Sequence, residues 1–185
     1  MISSNDFRNG MTIILDGELY NIVEFLHVKP GKGAAFVRTK IKSLKSGNVL
    51  EKTFRAGEKV ERAHVTSREM QYLYPSDDIH VFMDNETFIQ YNITEETMGD
   101  AMKWLKDGAN MQVQLHDDTV IGVEAPAHME LEITHTEPGF KGDTAQGGTK
   151  PAELETGATV NVPLFVNQGE KILVDTRSGE YLRRV

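Results

Sequence analysis

Lys29-Pro30-Gly31-Lys32-Gly33 stands between two runs that read as strands, and this pentapeptide organises the chain. Pro30 fixes its own φ, and the glycines on either side of Lys32 can take backbone angles closed to other residues, so the segment predicts a tight, protruding turn. None of its side chains suits a core. A lysine at such a tip carries a compact charge on a flexible stem and reaches outward. Upstream, Thr12-Ile13-Ile14-Leu15, the hairpin signal Asp16-Gly17 and the mixed run Glu18 to Val28 read as strand, turn and strand. Downstream, Ala34 to Leu44 alternates, with Arg38, Lys40 and Lys42 on one face and Val37, Thr39 and Ile41 on the other. Ser46-Gly47-Asn48 then turns the chain into Val49 to Phe54. Residues 1–64 therefore read as a meander closing into a small barrel, with the lysine loop as one hairpin end.

The same punctuation continues. Met70 to Tyr74, a turn at Pro75-Ser76-Asp77-Asp78, Ile79 to Met83 and Thr87 to Ile93 are rich in aromatic and β-branched residues, as strands prefer. Met98, Ala101, Met102 and Leu105 fall at helical spacing with Gly108 beyond them, which predicts one short helix plugging a barrel. Met111 to Leu115, Asp117-Asp118 and Val120 to Val123 read as a further hairpin, ending at Ala125-Pro126. Beyond His128, Met129 to Ile133 alternates, and Glu137 to Lys150 is polar, glycine-rich and without periodicity, the character of a functional loop. Strands are expected at Thr159 to Val162, Leu164 to Val166, Lys171 to Asp175 and Tyr181 to Val185. The expected architecture is all-β: three small barrels spanning 1–64, 65–127 and 128–185.

Charge is unevenly spread along these units. Residues 1–64 hold eleven Lys and Arg against seven Asp and Glu, net +4; residues 65–127 hold three against twelve, net −9; residues 128–185 hold six against nine, net −3. A basic first third on a chain of net charge −8 would turn that end toward a polyanion, with binding that weakens in salt. The chain has no cysteine, so disulfides, thiolate metal sites and a cysteine nucleophile are excluded. No apolar run is long enough to span a membrane, and Met1 to Phe7 lacks the layout of a signal peptide, so the expected location is the cytoplasm. The six histidines are scattered without an HExxH pair, and no GxSxG elbow, phosphate loop or GxGxxG is present. Small β-barrels commonly bind oligonucleotides, and this pattern reads as a binding factor without cofactor rather than an enzyme.

Three stretches carry a resemblance. They are His27 to Arg38 with the lysine loop at its centre, Tyr72-Leu73-Tyr74 through Phe82-Met83-Asp84, and Gly142-Asp143-Thr144 followed by Lys150-x-Ala152, Gly157, Val160-x-Val162-Pro163, Val166 and Gly169. On these the chain resembles the bacterial elongation factor P family over essentially its whole length. It departs from the family pattern at Asp78 and His80, where members often have glycine and tyrosine.

The resemblance implies an N-terminal SH3/KOW-like barrel followed by two OB-fold barrels in an L-shaped, tRNA-like arrangement. It implies a monomer that binds the 70S ribosome beside the peptidyl tRNA and relieves stalling at consecutive prolines. Lys32 would be the working tip, reaching toward the CCA end of that tRNA and carrying a covalent extension added by a modifying enzyme. Lys29, Pro30, Gly31 and Gly33 would support the tip. By the same implication Gly142, Asp143 and Thr144 would lie near the messenger RNA in the exit site, and Tyr181 and Arg184 would contact tRNA. Arg38, on the basic strand face, joins the RNA-binding candidates. A related elongation factor P-like paralogue and a general single-stranded RNA-binding barrel protein are the competing readings. The Pro30-Gly31-Lys32-Gly33 tip argues against the paralogue, whose branch does not share this lysine pattern.

Overall fold

Three antiparallel sheets account for most of the chain. The computed structural model describes residues 1–139 and 147–185, and the chain divides into two compact units, Met1–Ser67 with Gln114–Gly122 and Arg68–Val113 with Val123–Val185.

The first sheet contains β1 (Ile2–Ser3), β2 (Thr12–Leu15), β3 (Glu18–Val28), β4 (Phe36–Ser43), β5 (Val49–Arg55) and β6 (Lys59–Arg62) in the order β1-β6-β2-β3-β4-β5. β2 and β3 are joined through Asp16 (φ 50°) and Gly17 (φ 80°), the left-handed pair that matches the twist of a two-residue hairpin. β4 alternates as expected: Val37, Thr39 and Ile41 are buried while Arg38, Lys40 and Lys42 are exposed. The core is Phe7, Ile13, Ile22, Val37, Ile41, Phe54 and Val60, with Phe7 and Phe54 edge to face at 5.2 Å. Ser4 brings the two edges of this sheet together, its hydroxyl donating to Arg55 O at 2.7 Å and its N–H to Glu58 O at 2.8 Å. β1 and β6 had no sequence signal of their own, since each places so few residues in the core.

The second sheet comprises β7 (Thr66–Ser76), β8 (Ile79–Asp84), β9 (Gln90–Thr94), β10 (Asn110–His116) and β11 (Thr119–Glu124) in the order β11-β10-β7-β8-β9. Two expectations change here. β7 continues through Pro75 and Ser76, so the turn shrinks to Asp77-Asp78, with Asp77 at φ 52°. The single helix is instead a four-residue α1 (Glu95–Met98), ended at Gly99 (φ 53°), and then a 3-10 turn over Gly99–Trp104. The buried residues are Met98, Ala101 and Trp104, three apart, which is the repeat of the tighter 3-10 helix rather than the wider α spacing of Met98, Ala101, Met102 and Leu105.

The third sheet holds β12 (His128–Thr136), β13 (Thr149–Leu154), β14 (Thr159–Pro163), β15 (Lys171–Asp175) and β16 (Glu180–Arg184) in the order β14-β13-β12-β15-β16. β13 occupies part of the stretch expected to be loop. Lys150, Ala152 and Leu154 alternate inward, and the buried Lys150 Nζ donates to Glu137 O at 2.7 Å, so a lysine serves as an inward-facing strand residue. Leu164 to Val166, expected as a strand, is turn and irregular backbone beyond Pro163.

Candidate functional site

The loop between β3 and β4 begins one residue past the Val28–Phe36 pair, the last rung of the ladder. From Lys29 to Ala34 every residue is exposed. Among the described residues Lys32 makes no hydrogen bond or ion pair, so the chain holds its backbone at the apex of a hairpin and leaves its ammonium to solvent. The two glycines differ in role. Gly33 sits at φ 108°, whereas Gly31 is not left-handed and a Cβ there meets nothing within 4 Å. Gly33→Ala is expected to destabilise the protein by about 1 kcal/mol, and Gly31→Ala to leave urea denaturation unchanged. Gly31 is therefore not required by the isolated fold, and any activity lost in Gly31→Ala reports crowding by a partner.

The strand behind the loop carries less free charge than its sequence indicates. In register, Lys40 lies between Glu24 and Glu51, and its Nζ meets Glu24 Oε2 at 2.9 Å. The hydrogen bond and charge of Glu24, with Glu51 beyond, push the Lys40 pKa up and hold its charge locally compensated. Arg38 is flanked across the strands by Leu26 and Thr53, and Lys42 by Asn21 and Val49. Among the described residues no ion pair engages Arg38. On β4 the open positive charges of this face are thus Arg38 and Lys42.

In the other unit, Tyr181 and Arg184 both lie on β16, Tyr181 half-buried opposite Val174 and Arg184 exposed. Arg184 stacks its guanidinium over the Phe165 ring at 5.0 Å and meets Glu170 Oε1 at 3.4 Å. Phe165 was not singled out in the sequence, where Leu164 to Val166 read as strand. The turn-forming neighbours Pro163 and Asn167-Gln168-Gly169 were the available signal, and they leave Phe165 58% exposed. Gly142, Asp143 and Thr144 lie outside the described residues. Among the described residues no group of three or more His, Cys, Asp or Glu could hold a metal ion, and no helix is long and apolar enough to cross a membrane.

Family models described as the elongation factor P KOW-like domain, OB domain and C-terminal domain match residues 3–60, 65–123 and 129–184. The chain is 60% identical over 185 residues to elongation factor P of Natranaerobius thermophilus, covering 100% of this chain and 98% of that protein. It is 58% identical over 184 residues to elongation factor P of Desulfitobacterium hafniense, with 100% of both covered. Among solved structures, eukaryotic translation initiation factor 5A from Methanococcus jannaschii matches with a TM-score of 0.53 at 21% identity, covering 67% of this chain and 93% of that one, a likeness of fold. With three successive domain models and relatives matched from end to end, the chain belongs to the elongation factor P family, whose members are translation factors and not enzymes.

Proposed function

We propose that this factor binds the 70S ribosome next to a peptidyl tRNA and speeds peptide-bond formation at consecutive prolines. The observation that carries the reading is Lys32, exposed and unpartnered at the apex of the β3–β4 hairpin. Lys32 braces the CCA end of the tRNA, and a covalent extension added by a modifying enzyme lengthens its reach. Lys29, Pro30, Gly31 and Gly33 set the tip. Arg38 meets phosphate behind it, Gly142-Asp143-Thr144 faces the messenger in the exit site, and Tyr181 and Arg184 contact tRNA.

The chemistry asked of the factor is small. A lysine on an open loop offers a compact ammonium on a flexible stem, suited to bracing a partner electrostatically. Holding a sluggish prolyl acceptor and donor in attack geometry lowers the barrier without covalent chemistry by the protein. Each tenfold gain in rate needs only about 1.4 kcal/mol, the scale of a few hydrogen bonds to the tRNA. The factor acts as a cytoplasmic monomer built of modules 1–64, 65–127 and 128–185, a division supported by the three separate sheets.

The test is the rate of Pro-Pro-Pro synthesis in a reconstituted system, using protein purified from its native host, with a proline-free message as control. Stimulation confined to the proline message supports the reading. Equal binding to any RNA in proportion to length, with no stimulation, supports a general RNA-binding protein instead. Arg184→Ala is expected to weaken ribosome binding and to lower the slope of log affinity against log salt by about one, as loss of one phosphate contact does. Sedimentation at several salt concentrations measures both.

A further inference from the structure

The chain between β14 and β15 is pinned along its length. The Val166 N–H donates to Pro163 O at 3.1 Å, and the Val166 side chain is fully buried. Asn167 and Glu170 bond each other twice: the Asn167 N–H donates to Glu170 Oε2 at 2.9 Å, and the Glu170 N–H to Asn167 O at 3.3 Å. Both sides of Ile133 on β12 hold the far end, its carbonyl accepting the Gly169 N–H and its N–H donating to Glu170 O, each at 2.9 Å. Behind the turn Gly139 lies so near that a Cβ there would stand 2.5 Å from Leu164 O. Phe165 is therefore an exposed ring on fixed backbone.

What this frame meets is Arg184. β16 is held to β15 up to its end, Arg184 pairing with Ile172 and the Val185 N–H donating to Lys171 O at 3.0 Å. The Arg184 side chain places its guanidinium 5.0 Å from the Phe165 ring centroid and its Nη1 3.4 Å from Glu170 Oε1. The two oxygens of Glu170 thus have separate partners, Oε2 closing the turn and Oε1 meeting the arginine. Among the described residues the remaining guanidinium nitrogens of Arg184 make no hydrogen bond. One side of the group lies over a ring, one nitrogen faces a carboxylate, and the rest is left for a partner. A long side chain that must be immobilised on binding loses rotamer freedom, and one already stacked has less to lose.

We propose that Phe165 is a positioning residue for Arg184: with Glu170 it holds the guanidinium in one place, its open edge presented to a phosphate of RNA. The inference rests on the proposed contact of Arg184 with tRNA. Phe165 acts through the arginine and not on the RNA itself. Its ring contributes affinity on the scale of an exposed cation–π pair, and its removal leaves the number of neutralised phosphates unchanged.

The test measures affinity for ribosomes carrying peptidyl tRNA, at several salt concentrations, for wild type, Phe165→Leu, Phe165→Trp, Arg184→Ala and the double variant Phe165→Leu with Arg184→Ala. Melting curves establish that each is folded. Phe165→Leu is expected to bind about threefold more weakly with an unchanged slope of log affinity against log salt. Phe165→Trp, which keeps a ring for the guanidinium, should bind as wild type, and Phe165→Leu should cost nothing further once Arg184 is replaced. Unchanged affinity in Phe165→Leu while Arg184→Ala weakens binding, or a full additional loss in the double variant, overturns the positioning role and leaves the Arg184 contact standing. Wild-type affinity in Arg184→Ala overturns that contact and the inference with it.

Discussion

Lys32→Ala is expected to fold as the wild type does and to lose at least about tenfold of its stimulation at consecutive prolines, roughly 1.4 kcal/mol of transition-state stabilisation. The two halves of this result follow from the same geometry. The side chain is exposed and unpartnered, so truncating it removes nothing that the fold uses, and the midpoint of denaturation should stay within about 0.5 kcal/mol of wild type. Everything the side chain does must then be done to a partner. Lys32→Arg separates the contributions: it keeps the positive charge but removes the primary amine that an extending enzyme would use. If charge alone braces the tRNA, Lys32→Arg retains most of the stimulation; if the extension carries the contact, it behaves like Lys32→Ala. Rates on proline and proline-free messages, with denaturation curves of each variant, decide the matter.

The largest effect on stability is expected at Asp84. Asp84→Ala removes the acceptor of two backbone N–H groups and an ion pair at a site only 1% exposed, which should cost about 3 kcal/mol; Arg68, at 36% exposure, keeps access to water and limits the loss. The pH dependence has a definite sign. Burial pushes the Asp84 carboxyl up, but the N–H donors of Glu86 and Thr87 and the Arg68 guanidinium outweigh it and hold the pKa below its ordinary value of 3.8. A carboxyl depressed in the folded state contributes stability that is fully present above its unfolded pKa and is lost as pH falls through the folded one. The gap in denaturation midpoint between wild type and Asp84→Asn should therefore be constant near neutrality and narrow on the acid side of pH 3.8. A gap that widened in acid would show that the charge does not hold the turn after β8.

The parts of the fold legible in the sequence were those where one residue type has one backbone use. Asp16-Gly17 and Asp117-Asp118 read as tight turns, and Asp16, Gly17, Asp117 and Asp118 all take positive φ. The β4 alternation was equally plain. What stayed hidden turned on residues with two uses. Lys150 read as loop because lysine is usually outside; here its stem lies in the β13 face and its ammonium finds a carbonyl. Met98, Ala101 and Trp104 fit a 3-10 repeat, but Met102 and Leu105 made the α spacing equally regular, and only the break at Gly99 distinguishes them. Phe88 and Ile89 matched the strand pattern that ordinarily marks a core, and nothing local announces that a buried aspartate four residues earlier turns them outward.

At the candidate site, the exposure of the lysine loop was legible because proline, glycine and lysine leave no alternative. The pairing of Lys40 with Glu24 was not, since it depends on cross-strand register, which the β3 bulge between Ile22 and Glu24 sets. The Phe165–Arg184 stack joins residues far apart in the chain and needed the folded third sheet to appear.

Lys32 is proposed to work at the 3′ end of a peptidyl tRNA. A photoreactive diazirine analogue of lysine at position 32, activated on ribosomes stalled at consecutive prolines, tests it most directly. The expected result is a cross-link to the terminal CCA nucleotides of the peptidyl tRNA. A bound factor whose position 32 cross-links only elsewhere on the ribosome would contradict it.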